Sequence, residues 1–267
     1  MEQSLRKTPP AVVVAIANQK GGVGKTTSAI NLGAALAMEE DRRVLLVDLD
    51  PQANATSGLG VKVLEEEQSL FHVVVGGVPV IDVIEPTKFK NLFVVPANGD
   101  LADAELNLVT MMSRERRLTD ALQDVINDYD VILLDCPPSL GLLTINALAA
   151  AHEVLIPVQC EYYALEGLSQ LRHNIDMVRK SLNPHLHIGG VVLTMFDGRT
   201  NLSSDVANEI RAHFRDKAYR TVIPRSVRLS EAPSYGEPIQ VYDRMSSGAI
   251  AYRYAAKEFC RRHLGQE

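Results

Sequence analysis

Gln19-Lys20-Gly21-Gly22-Val23-Gly24-Lys25-Thr26-Thr27 is the stretch of this chain most clearly built for chemistry. Glycines leave backbone N–H groups free to wrap phosphate oxygens, and a helix beginning just after them adds partial positive charge. On that reading Lys25 neutralises the β- and γ-phosphates of a nucleotide and the Thr26 hydroxyl ligates Mg²⁺. Gly21, Gly22, Val23, Gly24 and Thr27 complete the cradle. The usual pattern G-x-x-x-x-G-K-[ST] asks for glycine at position 19, where Gln19 stands, and Lys20 is a lysine more than such a loop needs. Taken alone, Lys20 could be a solvated loop lysine and the Gly-Gly pair a surface turn. The second option conflicts with the helical spacing that begins at Gly24-Lys25-Thr26-Thr27.

Three aspartates stand where they could complete such a site. Asp48 and Asp50 follow the apolar run Val44–Val47, and Asp135 follows Val131–Leu134. In an open parallel sheet ligands bind beyond the carboxyl ends of the strands, so the three should converge on the phosphates. Asp135, four apolar residues and then an acid, has the Walker B arrangement and is expected to hold Mg²⁺ through water. Asp50 is expected to orient an attacking water, with Asp48 nearer the metal and Pro51 stiffening the turn. The plainer reading of each is a strand that ends in a solvated acid.

The elements that must position these groups alternate along the chain. Apolar runs at Val12–Ala17, Arg43–Val47, Leu92–Val95, Val131–Leu134, Val154–Val158, Ile188–Leu193 and Thr221–Ile223 read as buried strands. Helical spacing appears at Ser28–Ala37, Arg116–Ile126, Thr144–Ala151, Leu165–Leu182, Ser204–Phe214 and Ala249–Leu264. The alternation predicts an α/β fold, a doubly wound, mainly parallel twisted sheet with helices on both faces. Residues 11–267 are expected to form one domain after a short tail, 1–10. The acidic Glu65-Glu66-Glu67 reads as a solvated helix start, and the closing helix as amphipathic, with Ile250, Tyr254, Phe259 and Leu264 on its apolar side.

Composition narrows the class. With 46% hydrophobic residues over 267 positions the chain can bury a large core. No apolar run approaches the roughly 18 to 20 residues of a membrane span, and the first ten residues lack the apolar middle of a signal peptide, so a cytoplasmic protein is expected. Cys136, Cys160 and Cys260 show no pairing or metal-ligand spacing, and the histidines are scattered. Net charge is −6, yet Arg199–Arg228 holds seven basic residues against three acidic ones, a local hint of nucleic-acid contact.

Several blocks in order resemble the ParA/Soj family of chromosome- and plasmid-partitioning ATPases. They are Asn18–Thr27, Val47–Thr56, Leu134–Ser139, Glu161–Gly167, Thr194–Asp197 and Ile223–Ser234, and the likeness runs from about residue 11 to the end. The resemblance implies ATP and Mg²⁺ as cofactors, a P-loop NTPase fold, and a homodimer that sandwiches two ATP molecules. In it Lys20 reaches the nucleotide of the second subunit, Gly21 sits where subunits approach closely, and Asp50 matches the water-orienting acid. It implies that Met195, Pro224 and Arg225 lie near adenine, and that Arg199 and Arg228 bind double-stranded DNA without sequence preference. A ParB/Spo0J-type centromere-binding partner is expected to stimulate hydrolysis at the nucleoid. A membrane-cycling ATPase like MinD, a metabolic or iron-protein relative, and a purely structural nucleotide scaffold are the competing classes, with no stable membrane association expected.

Overall fold

The computed structural model describes residues 9–63, 68–162 and 164–265. Most of the expected tail and the Glu65-Glu66-Glu67 helix start lie outside the described residues. In chain order the main elements are β1 (Val12–Ile16), α1 (Lys25–Met38), β2 (Val44–Asp48), α2 (Asn54–Gly58), α3 (Leu70–Val74), β3 (Glu85–Pro86) and β4 (Leu92–Val95). They continue as α4 (Leu101–Val109), α5 (Arg117–Leu122), β5 (Val131–Asp135), α6 (Leu142–Ala150), β6 (Glu153–Gln159), α7 (Ala164–Ser181) and β7 (His187–Phe196). The chain ends with α8 (Asn201–Phe214), β8 (Ala218–Pro224), α9 (Val227–Glu231), α10 (Ile239–Tyr242) and α11 (Ser247–His263).

Among the described residues the strands form one sheet in the order β3-β4-β2-β5-β1-β6-β7-β8. Every pairing is parallel except the two-residue β3 edge, which runs antiparallel to β4. Side chains alternate across the sheet as the period of two requires. Val13, Ala15, Leu45, Val47, Ile132 and Leu134 face one core, with α3 through α8 laid over it. Val14, Ile16, Val44, Leu46, Val131 and Leu133 face the other, covered by α1 and α11. Each run of aliphatic residues thus fills two cores at once, which is why these strands read as continuous rather than alternating. The doubly wound sheet expected from the sequence is what forms.

β1 lies between β5 and β6, with the earlier strands on one side and the later ones on the other. Its carboxyl end therefore opens at the point where the winding changes sides, the place such sheets reserve for ligands. The closing helix departs from its expected face. Ile250 and Tyr254 are exposed, while Ala249, Ala251, Tyr252, Ala255, Ala256 and Phe259 are buried. Small alanines let α11 lie close against α1, with Tyr252 and Phe259 as the large side chains of the buried stripe. Arg253 fixes the docking through Glu39 at the end of α1, Nε to Oε2 2.5 Å.

Candidate functional site

The loop from β1 to α1 is shaped by left-handed glycines. Gly22 and Gly24 take φ +74° and +86°, and Gly24 is the N-cap residue of α1, so the chain turns into the helix with its amides unhindered. Asn18 ties the loop to β6, its Nδ2 donating to Pro157 O at 2.8 Å and its Oδ1 accepting from Lys20 N at 3.0 Å. The Thr194 hydroxyl donates to Val23 O at 2.8 Å and supports the far side. Lys25 Nζ donates to Lys20 O at 3.1 Å, so the lysine folds over its own loop. Burial pulls the Lys25 pKa down, an effect opposed by the charges of Asp135, Cys136 and Asp50.

Lys20 is engaged by a carboxylate outside the loop. Its ammonium pairs with the Glu161 carboxylate just beyond β6, and each side chain keeps over a third of its surface exposed, 39% and 35%. It also borders an open groove of 730 Å³ between the loop and the start of α7. Gly21 beside it has a φ outside the left-handed region, and a Cβ built there meets nothing within 4 Å. Among the described residues nothing crowds a side chain at that position.

The aspartates converge as expected, but their surroundings differ. Asp48 and Asp135 end neighbouring strands as direct Cα partners, and both are fully buried. Asp48 is already engaged: Oδ2 accepts from Thr56 N at 2.8 Å and Thr56 Oγ1 at 2.7 Å, and Oδ1 from Asp50 N at 3.2 Å. Burial nonetheless raises its pKa to about 6 against the restraint of the Thr56 bonds. Asp135 has both carboxylate oxygens buried without a hydrogen-bond partner. Burial, then the Asp48 charge, raises its pKa well above the carboxylate range; the nearby Thr26 hydroxyl eases this without a well-formed hydrogen bond. Asp50 is half-buried, its Oδ1 accepting from Gln52 N at 3.0 Å in a tight turn.

On the other flank of the loop a cavity of 210 Å³ joins Gly24 and Thr27 to Met195, Pro224 and Arg225. Met195 holds φ +50°, a strained value for a side-chain-bearing residue and one that recurs at ligand clamps. Arg199 and Arg228 also lie beyond the ends of their strands, but each is already paired. Arg199 bonds Asp197 at 2.8 and 2.7 Å, and that hydrogen bonding pulls the Asp197 pKa down to about 2. Arg228 meets Glu231 at 3.0 Å and Asp243 at 3.4 Å.

A family model described as an AAA domain matches residues 11–188. The chain is 58% identical to the sporulation initiation inhibitor protein Soj of Bacillus subtilis over 92% of its own length and 97% of that protein. It is 51% identical to the chromosome partitioning protein ParA of Caulobacter vibrioides, covering 97% of each. This chain belongs to the ParA/Soj family of chromosome-partitioning ATPases. Its backbone also matches the cobyrinic acid a,c-diamide synthase of Mycobacterium smegmatis, solved with ADP and magnesium, at a TM-score of 0.83 and 39% identity over 96% of both chains. No described helix of this ParA/Soj member is long and apolar enough to cross a membrane.

Sequence reading missed the second tier of the site. Thr56 fixes Asp48 and also accepts from Ala97 N at 3.0 Å. Tyr252 reaches the nucleotide-side cavity from α11, its hydroxyl 3.1 Å from Ser28 Oγ. Glu161 sat inside a family block without a role. Such contacts join residues 8 to 224 positions apart. Only the Asp48-to-Thr56 link was near enough in sequence to be sought in a motif.

Proposed function

We propose that this chain is a Mg²⁺-dependent ATPase that forms an ATP-sandwich dimer, binds DNA without sequence preference in that state, and is released when a ParB-type partner stimulates hydrolysis. The observation that carries the reading is the placement of Lys20. Its backbone is anchored by Asn18, its ammonium is engaged by a carboxylate outside the loop, and the adjacent Gly21 leaves open room for a second chain. A lysine so placed can serve a neighbour's phosphates better than its own.

Within one subunit Lys25 moves from the Lys20 carbonyl to the β- and γ-phosphates, and the loop amides take the remaining oxygens. Thr26 and Asp135 would hold the metal: two buried, unsatisfied carboxylate oxygens suit a hard divalent cation and little else. Bound there, Mg²⁺ neutralises charge on the phosphate oxygens. Asp48 stands beside Asp135, where it would help hold the metal; it is held by Thr56 and also orders the turn that carries Asp50. Asp50 orients the attacking water, with Lys20 of the other subunit stabilising the transferred charge as an arginine finger does. Met195, Pro224 and Arg225 frame the adenine. Arg199 and Arg228 meet DNA after exchanging their carboxylate partners for phosphate.

Sizing by light scattering, with ATP or a slowly hydrolysed analogue, tests the reading. Lys20→Ala should retain nucleotide binding and lose the dimer, while Asp50→Ala should accumulate the dimer on DNA and fail to turn over. A Lys20→Ala chain that still dimerises with ATP would remove the cross-subunit role.

A further inference from the structure

We infer that a basic groove at the opposite end of the sheet from the phosphate loop is a second surface for the phosphate backbone of double-stranded DNA. The inference rests on the DNA-binding reading above and gives it another contact surface. The groove holds 360 Å³ between α7 and α8, above the amino end of β7. Arg172, Asp176 and Arg179 line it from α7, His187 from β7, His213 from α8, and Lys217 from the turn that follows α8. Asp176 is its one acid, and that carboxylate is engaged by Arg179 at 2.9 Å. His187 leans on the buried Glu153, Nε2 to Oε2 3.5 Å. Arg172 and Lys217 have no ion-pair partner among the described residues.

That last fact sets the groove apart from Arg199 and Arg228. A phosphate reaching those arginines must displace Asp197, or Glu231 and Asp243. A phosphate reaching Arg172 or Lys217 displaces only water and counterions, the exchange that drives non-specific DNA binding. Cations on the last turns of α7 and α8 are also expected as companions of helix carboxyl ends. Arg172 lies upstream of the last turn of α7 and is not explained that way, whereas Lys217 closes the short helical turn Arg215–Lys217 that follows α8. The groove is an open trough with cations on both walls, and it suits a rod of phosphates better than a small enclosed anion.

The test is DNA retention by the full chain with ATP and Mg²⁺ across a salt series, comparing wild type with Arg172→Ala/Lys217→Ala. Each phosphate-binding cation removed should flatten the slope of log K against log salt by about 0.9, so the double variant should flatten it by about 1.8, with DNA-free ATPase rate and dimer formation unchanged. Arg172→Lys/Lys217→Arg should restore most of the slope, because the attraction is one of charge. An unchanged slope and affinity in the alanine variant overturns the inference. So does a variant that keeps DNA and instead loses binding to vesicles of anionic phospholipid, which would assign the groove to a membrane. Wild type that shows no DNA retention defeats the DNA reading together with this inference; wild type that binds while the variant matches it defeats the groove alone.

Discussion

Lys20 cannot pair with its own Glu161 and reach a partner's nucleotide at once, so Glu161 should act as a latch against dimerisation. Glu161→Gln keeps the shape and removes the charge. The size of the effect follows from exposure: with 39% and 35% of the two side chains open to water, the pair belongs to the solvent-screened class. Such pairs contribute about 0.2 to 1 kcal/mol each and a symmetric dimer must release two, so the ATP-dependent dimer should tighten by roughly 2- to 30-fold in Glu161→Gln. Sedimentation equilibrium with a slowly hydrolysed ATP analogue measures this directly, and the gain should shrink as salt rises. A double-mutant cycle isolates the cause. In a Lys20→Ala background, adding Glu161→Gln should change nothing. A gain that persists without Lys20 refutes the latch, and a weaker dimer in Glu161→Gln would place Glu161 among the groups that hold the dimer together.

Two further expectations come from the paired aspartates. Thr56→Val removes the hydroxyl that donates to Asp48 at 2.7 Å and accepts from Ala97 N at 3.0 Å, leaving two buried polar groups short of a partner. Denaturant unfolding should show a loss of about 1 to 3 kcal/mol, with turnover falling further than nucleotide affinity. Asp48 has its pKa raised, chiefly by burial, from 3.8 to about 6. The folded state therefore binds its proton more tightly than the unfolded chain. That contribution to stability is complete below about pH 4 and is lost as pH rises through about 6. Thermal melts of the nucleotide-free chain between about pH 5 and about pH 7.5 should fall more steeply for wild type than for Asp48→Asn, and parallel curves would contradict the assignment.

The backbone of the site was legible because it is written locally. Glycines at 22 and 24, a lysine and threonine at a helix start, and acids directly after aliphatic runs each carry their own geometry, and the fold needs only to stack the strands side by side. The expected strands all form, and the doubly wound order follows from their alternation with helices. What escaped was decided by packing between distant elements. The face of α11 was half right: Phe259 is buried and Leu264 packs on the core, but Ile250 and Tyr254 are exposed because the approach to α1 rewards small alanines. The helix α4 was missed between the strands β4 and β5. Arg199 and Arg228 could be seen as basic; Asp197 two residues before one and Glu231 three residues after the other are local pairings, whereas the Asp243 contact comes from a turn that no spacing rule announces.

If the proposed dimer forms, the contacts of the nucleotide-free site would couple binding to assembly. Lys25 rests on the carbonyl of Lys20, and the Lys20 ammonium rests on Glu161, so the two lysines form a chain of contacts that satisfies the loop without ligand. Phosphate takes Lys25 away and removes one of the bonds that hold the Lys20 backbone in place. The Asn18 bond remains, which keeps the loop seated on β6 while the side chain becomes free to change partners. Asp135 stays unsatisfied until a cation arrives, because no donor reaches either oxygen. Asp135 and Lys25 are close enough for their charges to act on each other, so phosphate and cation would act on neighbouring groups. On the proposed reading, a nucleotide that brings both should relieve the buried carboxylate and loosen the lysine offered to a second subunit.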